Sequence, residues 1–132
     1  MVTVKLQREQ WIRHKKLEKI MEYQATVKHI HMSTRKVRLV ADSIRKLTPV
    51  NAVAKLGVTS KIAAKPLIGV IASAMANAKV KGVKEEQLVF KQIEVMGGPV
   101  MKRWHAVSRG TAHGYKKRMT HVRIILEEKV SS

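Results

Sequence analysis

Gly97-Gly-Pro-Val-Met-Lys-Arg-Trp-His-Ala-Val-Ser-Arg-Gly-Thr-Ala-His-Gly-Tyr-Lys-Lys-Arg118 separates two segments that alternate like strands. Before it, Leu88–Met96 puts Val89, Ile93 and Val95 on one face and Leu88 and Phe90 on the other. After it, Met119–Glu128 turns Val122, Ile124 and Leu126 toward a core and His121, Arg123 and Ile125 away from it. The joining stretch is rich in small residues, alternates weakly and has no helical pattern. The three pieces together read as one extended antiparallel hairpin.

Working outward, Tyr23, Ala25 and Val27 alternate with Gln24, Thr26 and Lys28, which suits a half-buried strand over 23–31. Ser33 is placed to cap a helix whose buried stripe is Val37, Val40, Ala41 and Ile44, continued by Leu47. Thr48-Pro49 opens a two-turn helix to Leu56, with Gly57 at its end. A third helix starts at Thr59 or Ser60 and runs to about Val80, with Ile62, Ala63, Leu67, Val70, Ile71, Ala74 and Ala78 on its apolar face. Pro66 either kinks it or moves its start forward. Lys79–Gln87, with Gly82, is a charged turn. The fold class is α+β: three helices packed on a small three-stranded antiparallel sheet, with a long protruding β-hairpin.

The chain divides into a basic N-terminal extension, residues 1–22, and a single domain, residues 23–132, that includes the hairpin 95–120. The extension carries six Lys/Arg and three Glu and reads as a short amphipathic helix or a basic arm. Its glutamates argue against an import presequence, and it lacks the apolar core of a secretory signal. No run of 18 apolar residues is present, so no transmembrane helix is expected.

Among 132 residues, 27 Lys and Arg face 9 Asp and Glu, a net charge of +18. Self-repulsion of that size points to a polyanionic partner. The charge is unevenly spread. Residues 95–126 hold Lys102, Arg103, Arg109, Lys116, Lys117, Arg118 and Arg123, with His105, His113 and His121, and no acid at all. An edge hairpin in water normally mixes both signs. Cations neutralise phosphates and glycines let backbone approach closely, so this ribbon is suited to a crevice lined with nucleic acid. A second cluster, Arg35, Lys36 and Arg38, opens a helix. There the helix dipole disfavours cations unless an anion sits nearby. An aromatic content of 4% is low for a single-strand binder and favours structured RNA. Trp104 can stack on a base or plug the hairpin against an apolar surface; both stay open.

Catalytic chemistry finds little support. Cysteine is absent, Asp42 is the sole aspartate, and no phosphate-binding loop, dinucleotide fingerprint or zinc-protease motif occurs. Glu85-Glu86 and Glu127-Glu128 read as solvated edges rather than acid–base pairs. His29 and His31 share a strand face at period two, but no third ligand is near in sequence, so no metal is expected. The alternatives are a free RNA-modifying or RNA-cleaving enzyme and a free DNA-binding module with residues 34–46 as its recognition helix.

The stretches Ser33–Arg45 (STRKVRLVADSIR), Ala72–Ala78 (ASAMANA), Gly98–Trp104 (GPVMKRW) and Lys117–Glu128 (KRMTHVRIILEE) keep a common order and spacing across residues 23–129. They resemble the universal large-subunit ribosomal protein family number twenty-two in its bacterial-type form. The resemblance implies a non-catalytic structural constituent of the large subunit that binds 23S-type rRNA and supports its assembly. It implies a body near the exit of the nascent-peptide tunnel and a hairpin running inward through rRNA. The stem would be Val95–Lys102 with Lys116–Thr120, and the tip, Ala106–Ala112, would line the tunnel, where macrolide sensitivity can change.

The expected rRNA-binding residues are Arg35, Lys36, Arg38, Lys102, Arg103, Arg109, Lys116, Lys117, Arg118 and His121. The expected tunnel tip is His105, Ala106, Val107, Ser108, Gly110 and Thr111. His105, Val107, Thr111 and Gly114 stand where members typically carry arginine, and Thr34 where they often carry proline. The implied partners are rRNA, neighbouring large-subunit proteins and the nascent peptide, with no cofactor, no membrane and no homo-oligomer. The expected location is the cytoplasmic ribosome rather than an organellar one.

Overall fold

A computed structural model describes residues 2–17 and 21–129. Residues 1, 18–20 and 130–132, which belong to the two expected segments, lie outside the described residues. The elements run α1 (Val2–Leu17), β1 (Glu22–Ile30), α2 (Thr34–Ile44), α3 (Pro49–Gly57), α4 (Ala64–Val80), β2 (Leu88–Ala106) and β3 (Ala112–Glu128). The three expected helices are α2, α3 and α4; α1 is a fourth, in the basic extension. The sheet is antiparallel with order β1-β3-β2.

Each helix forms where its apolar period dictates. In α2, Val37, Val40, Ala41 and Ile44 are buried, as their spacing requires. Thr48 caps α3 by accepting from the Asn51 N–H, and Pro49 sits at the start, where no backbone donor is needed. Pro66 settles its own ambiguity: α4 begins at Ala64, so the proline falls in the first turn and breaks no hydrogen bond. Ile62 therefore precedes the helix and is exposed rather than part of its apolar face. Leu67, Val70, Ile71, Ala74 and Ala78 of α4 pack into one core with Tyr23, Ala25, Val122, Ile124 and Leu126 of the sheet.

β2 departs from its expected faces. A one-residue bulge at Lys91, between Phe90 and Gln92, reverses the alternation. Leu88 therefore shares the core with Ile93 and Val95 instead of opposing them. Two further bulges bracket one short piece of β3. Gly98 and Pro99 of β2 oppose Met119, and Lys28 and His29 of β1 oppose His121. His29 takes φ 59° there, the left-handed region. A Cβ on Gly98 would lie 3.1 Å from the Met119 backbone and from His121 Cε1, so glycine lets the strands cross here without crowding. Between the bulges Thr120 is fully buried. Its hydroxyl donates to the Met32 carbonyl at 2.7 Å and lies 3.3 Å from the Thr34 hydroxyl. That contact gives Thr34 a role proline could not fill.

Beyond Ile30, which pairs with Thr120, β1 ends and only β2 and β3 continue. Gly98 to Ala106 extends this two-stranded ribbon by about 30 Å. Val107 to Thr111 close it through a single turn, in which Arg109 and Gly110 have φ of 60° and 69°. The expected hairpin and tip are thus present. From Met101 to Arg118 every residue except the partly covered Val107 is exposed.

Candidate nucleic-acid interface

The ribbon is a ladder of rungs whose two faces follow from strand alternation. One face carries Val100, Lys102, Trp104 and Ala106 opposite Arg118, Lys116, Gly114 and Ala112. The other carries Met101, Arg103 and His105 opposite Lys117, Tyr115 and His113. Lys102 faces Lys116 directly, and like charges across a rung destabilise a sheet. The described residues of the ribbon supply no carboxylate to offset them. A phosphate does.

Where β1 leaves off, the free edge of β3 borders a groove of about 540 Å³. One wall is His31, Met32, Ser33 and Lys36, at the entry to α2. The other is Tyr115, Lys116, Lys117 and Arg118, on the returning strand. The two basic clusters read separately in the sequence therefore converge, through Lys36, on one groove. Ser33 occupies the cap position, but its side chain makes no cap bond. The Lys36 and Val37 N–H groups bond the Ser33 carbonyl, which leaves those of Thr34 and Arg35 for an outside acceptor at a helix start whose groove holds four cations.

Other expected residues are placed differently. Arg38 is bound to the fold: its Nε and Nη2 both donate to the Val95 carbonyl, at 3.3 and 3.1 Å. His121 accepts the His29 N–H at Nδ1, which leaves Nε2 as its donor nitrogen. Arg103 leans back on its own strand, donating to Met101 Sδ at 3.3 Å and to the Lys102 carbonyl at 3.1 Å. Arg35 is exposed on α2, and Arg109 stands at the far tip, apart from the groove. β1 ends at Ile30, so His29 and His31 are not two residues of one strand: His29 meets His121 edge to face at 4.8 Å, and His31 lines the groove. No cluster of three or more potential metal ligands occurs among the described residues. Asp42 pairs with Arg45 at 2.9 Å on the surface.

His31, Ser33 and Tyr115 line the groove although they are not among the expected rRNA-binding residues. Their only signals were local ones, a cap position and an aromatic residue in an apolar-poor stretch. The convergence itself depends on register.

A family model described as ribosomal protein L22p/L17e matches residues 25–127. A large ribosomal subunit protein uL22 from Syntrophus aciditrophicus is 42% identical over 110 residues, covering 83% of this chain and 100% of the relative. The uL22 proteins of Leptospira biflexa and Mycoplasma mobile are 38% and 42% identical, covering 83% of this chain and 95% and 100% of their own lengths.

Proposed function

The chain belongs to the ribosomal protein L22p/L17e family, and from that membership we propose how its two-stranded ribbon works. The protein is a structural, non-catalytic constituent of the large ribosomal subunit and binds rRNA, with rRNA and other ribosomal proteins as its partners. In our reading, residues 23–132 are the rRNA-binding unit and residues 1–22 an extension of it. The ribbon is threaded through folded large-subunit rRNA, and the tip from His105 to Thr111 lines the nascent-peptide tunnel, close to the emerging chain. The protein works as a monomer in the cytoplasmic ribosome.

One observation carries this reading: an exposed, acid-free ribbon about 30 Å long that meets the body only at its base. Its cations repel one another in water, and only a surrounding polyanion makes the extended form favourable. Lys36, Lys116, Lys117 and Arg118 bind phosphates at the base, Lys102 and Arg103 along the stem and Arg109 at the tip. Arg35 and the free Nε2 of His121 add contacts beside the groove. Recognition is by charge and shape, with little reading of base edges.

The test is a salt titration of the full chain on large-subunit rRNA. Replacing Lys116, Lys117 and Arg118 with alanine together should weaken binding and reduce the slope of log K against log salt by roughly two to three. An unchanged slope overturns the assignment. Stoichiometric co-sedimentation with large subunits after a moderate salt wash should accompany it, and a free enzyme or DNA-binding module would not show that.

A further inference from the structure

Trp104 is 71% exposed although it is among the largest apolar side chains of the molecule. Its rung partner is Gly114. A Cβ built on Gly114 would lie 3.1 Å from Trp104 Cζ3 and 3.3 Å from both Cε3 and Cη2. Three consecutive ring carbons at nearly equal distance mean that the indole turns its face, not its edge, to the glycine. One face of the ring is thus laid on bare backbone, and the other is open to solvent. A Cβ at 114 would push the ring outward by a few tenths of an ångström, and a larger side chain would displace it further. Among the described residues the ring rests on the ribbon itself.

The next rung on the same face is Lys102 and Lys116, two residues and about 7 Å along each strand. On the opposite face Arg103 lies on Met101, and the His105 and Tyr115 rings meet each other at 5.5 Å. A flat aromatic platform with paired ammonium groups beside it is the chemistry that holds an unstacked nucleotide, ring on base and cations on phosphate.

We propose that Trp104, held face-on by Gly114, is a stacking platform for one unpaired rRNA base whose flanking phosphates are bound by Lys102 and Lys116. The proposal rests on the rRNA-binding reading above and adds one single-stranded nucleotide at a defined rung.

The chain has two tryptophans, so Trp11→Phe leaves Trp104 as the reporter. Titrating that variant with large-subunit rRNA should quench its fluorescence. Titrating it with heparin, a polyanion without bases, should not. Trp104→Ala should weaken rRNA binding roughly tenfold with an unchanged salt slope, and Trp104→Phe should recover part of the loss. Gly114→Leu, which displaces the ring without removing it, should weaken binding like Trp104→Ala. If rRNA binds with its normal salt slope while Trp104 fluorescence stays constant and Trp104→Ala binds equally well, the platform is wrong and the rRNA reading stands. If no form of the chain binds rRNA, both fall.

Discussion

The backbone N–H of His29 donates to Nδ1 of His121 at 3.0 Å, and this bond closes the bulge at which β1 parts from the ribbon. It fixes the left-handed residue of one strand to the middle strand where the sheet narrows from three strands to two. His121→Ala should cost about 1 kcal/mol of stability by leaving that donor without its acceptor. His121→Asn, which restores a carbonyl oxygen near the same position, should recover most of it. Denaturant unfolding of the three proteins decides the matter, and equal midpoints for alanine and asparagine would show that the bond contributes nothing.

Gly98 faces the same junction from the other side. Gly98→Ala places a methyl group 3.1 Å from the backbone carbon and oxygen of Met119, atoms that cannot turn aside. The expected cost is about 1–3 kcal/mol. Gly57→Ala is the control, since a Cβ there meets nothing within 4 Å. Thermal unfolding should separate the two variants clearly.

Arg38 and Lys36 stand two positions apart on α2 but should fail differently. Arg38 is tied to the Val95 carbonyl, whereas Lys36 lines the open groove. Arg38→Met should lower stability by about 1–2 kcal/mol and change the salt slope of rRNA binding little. Lys36→Ala should leave stability within about 0.5 kcal/mol and reduce the slope by roughly 0.7 to 0.9. Swapped outcomes would reverse the two roles.

Tyr23 carries a buried hydroxyl with no hydrogen-bond partner among the described residues. Burial, and next the Glu128 carboxylate, raise its phenol above the ordinary value of 10.0. The native state thus keeps a proton that the unfolded chain gives up. Its contribution is intact below pH about 10 and is lost as pH rises through the higher native value. Tyr23→Phe should remove this alkaline sensitivity and stabilise the protein by about 1 kcal/mol near neutral pH, since an unsatisfied buried group disappears. Unfolding curves on either side of pH about 10 for both proteins measure the difference. A parallel pH dependence in the two would refute it.

The sequence by itself determined the helices, the strands and the character of the ribbon. Val37, Val40, Ala41 and Ile44 repeat at helical spacing, Val122, Ile124 and Leu126 alternate, and the acid-free run from 95 to 126 has one sign of charge. These are properties of neighbouring residues, and local periodicity and composition express them directly. Only the tertiary structure decided that Leu88 joins Ile93 in the core, that Arg38 serves Val95, that Lys36 meets Lys116, Lys117 and Arg118 across a groove, and that Trp104 lies on Gly114. Each depends on register between distant strands. One bulged residue reverses every side chain beyond it, and the cost of placing that bulge is set by hydrogen bonds and close contacts that no local window contains.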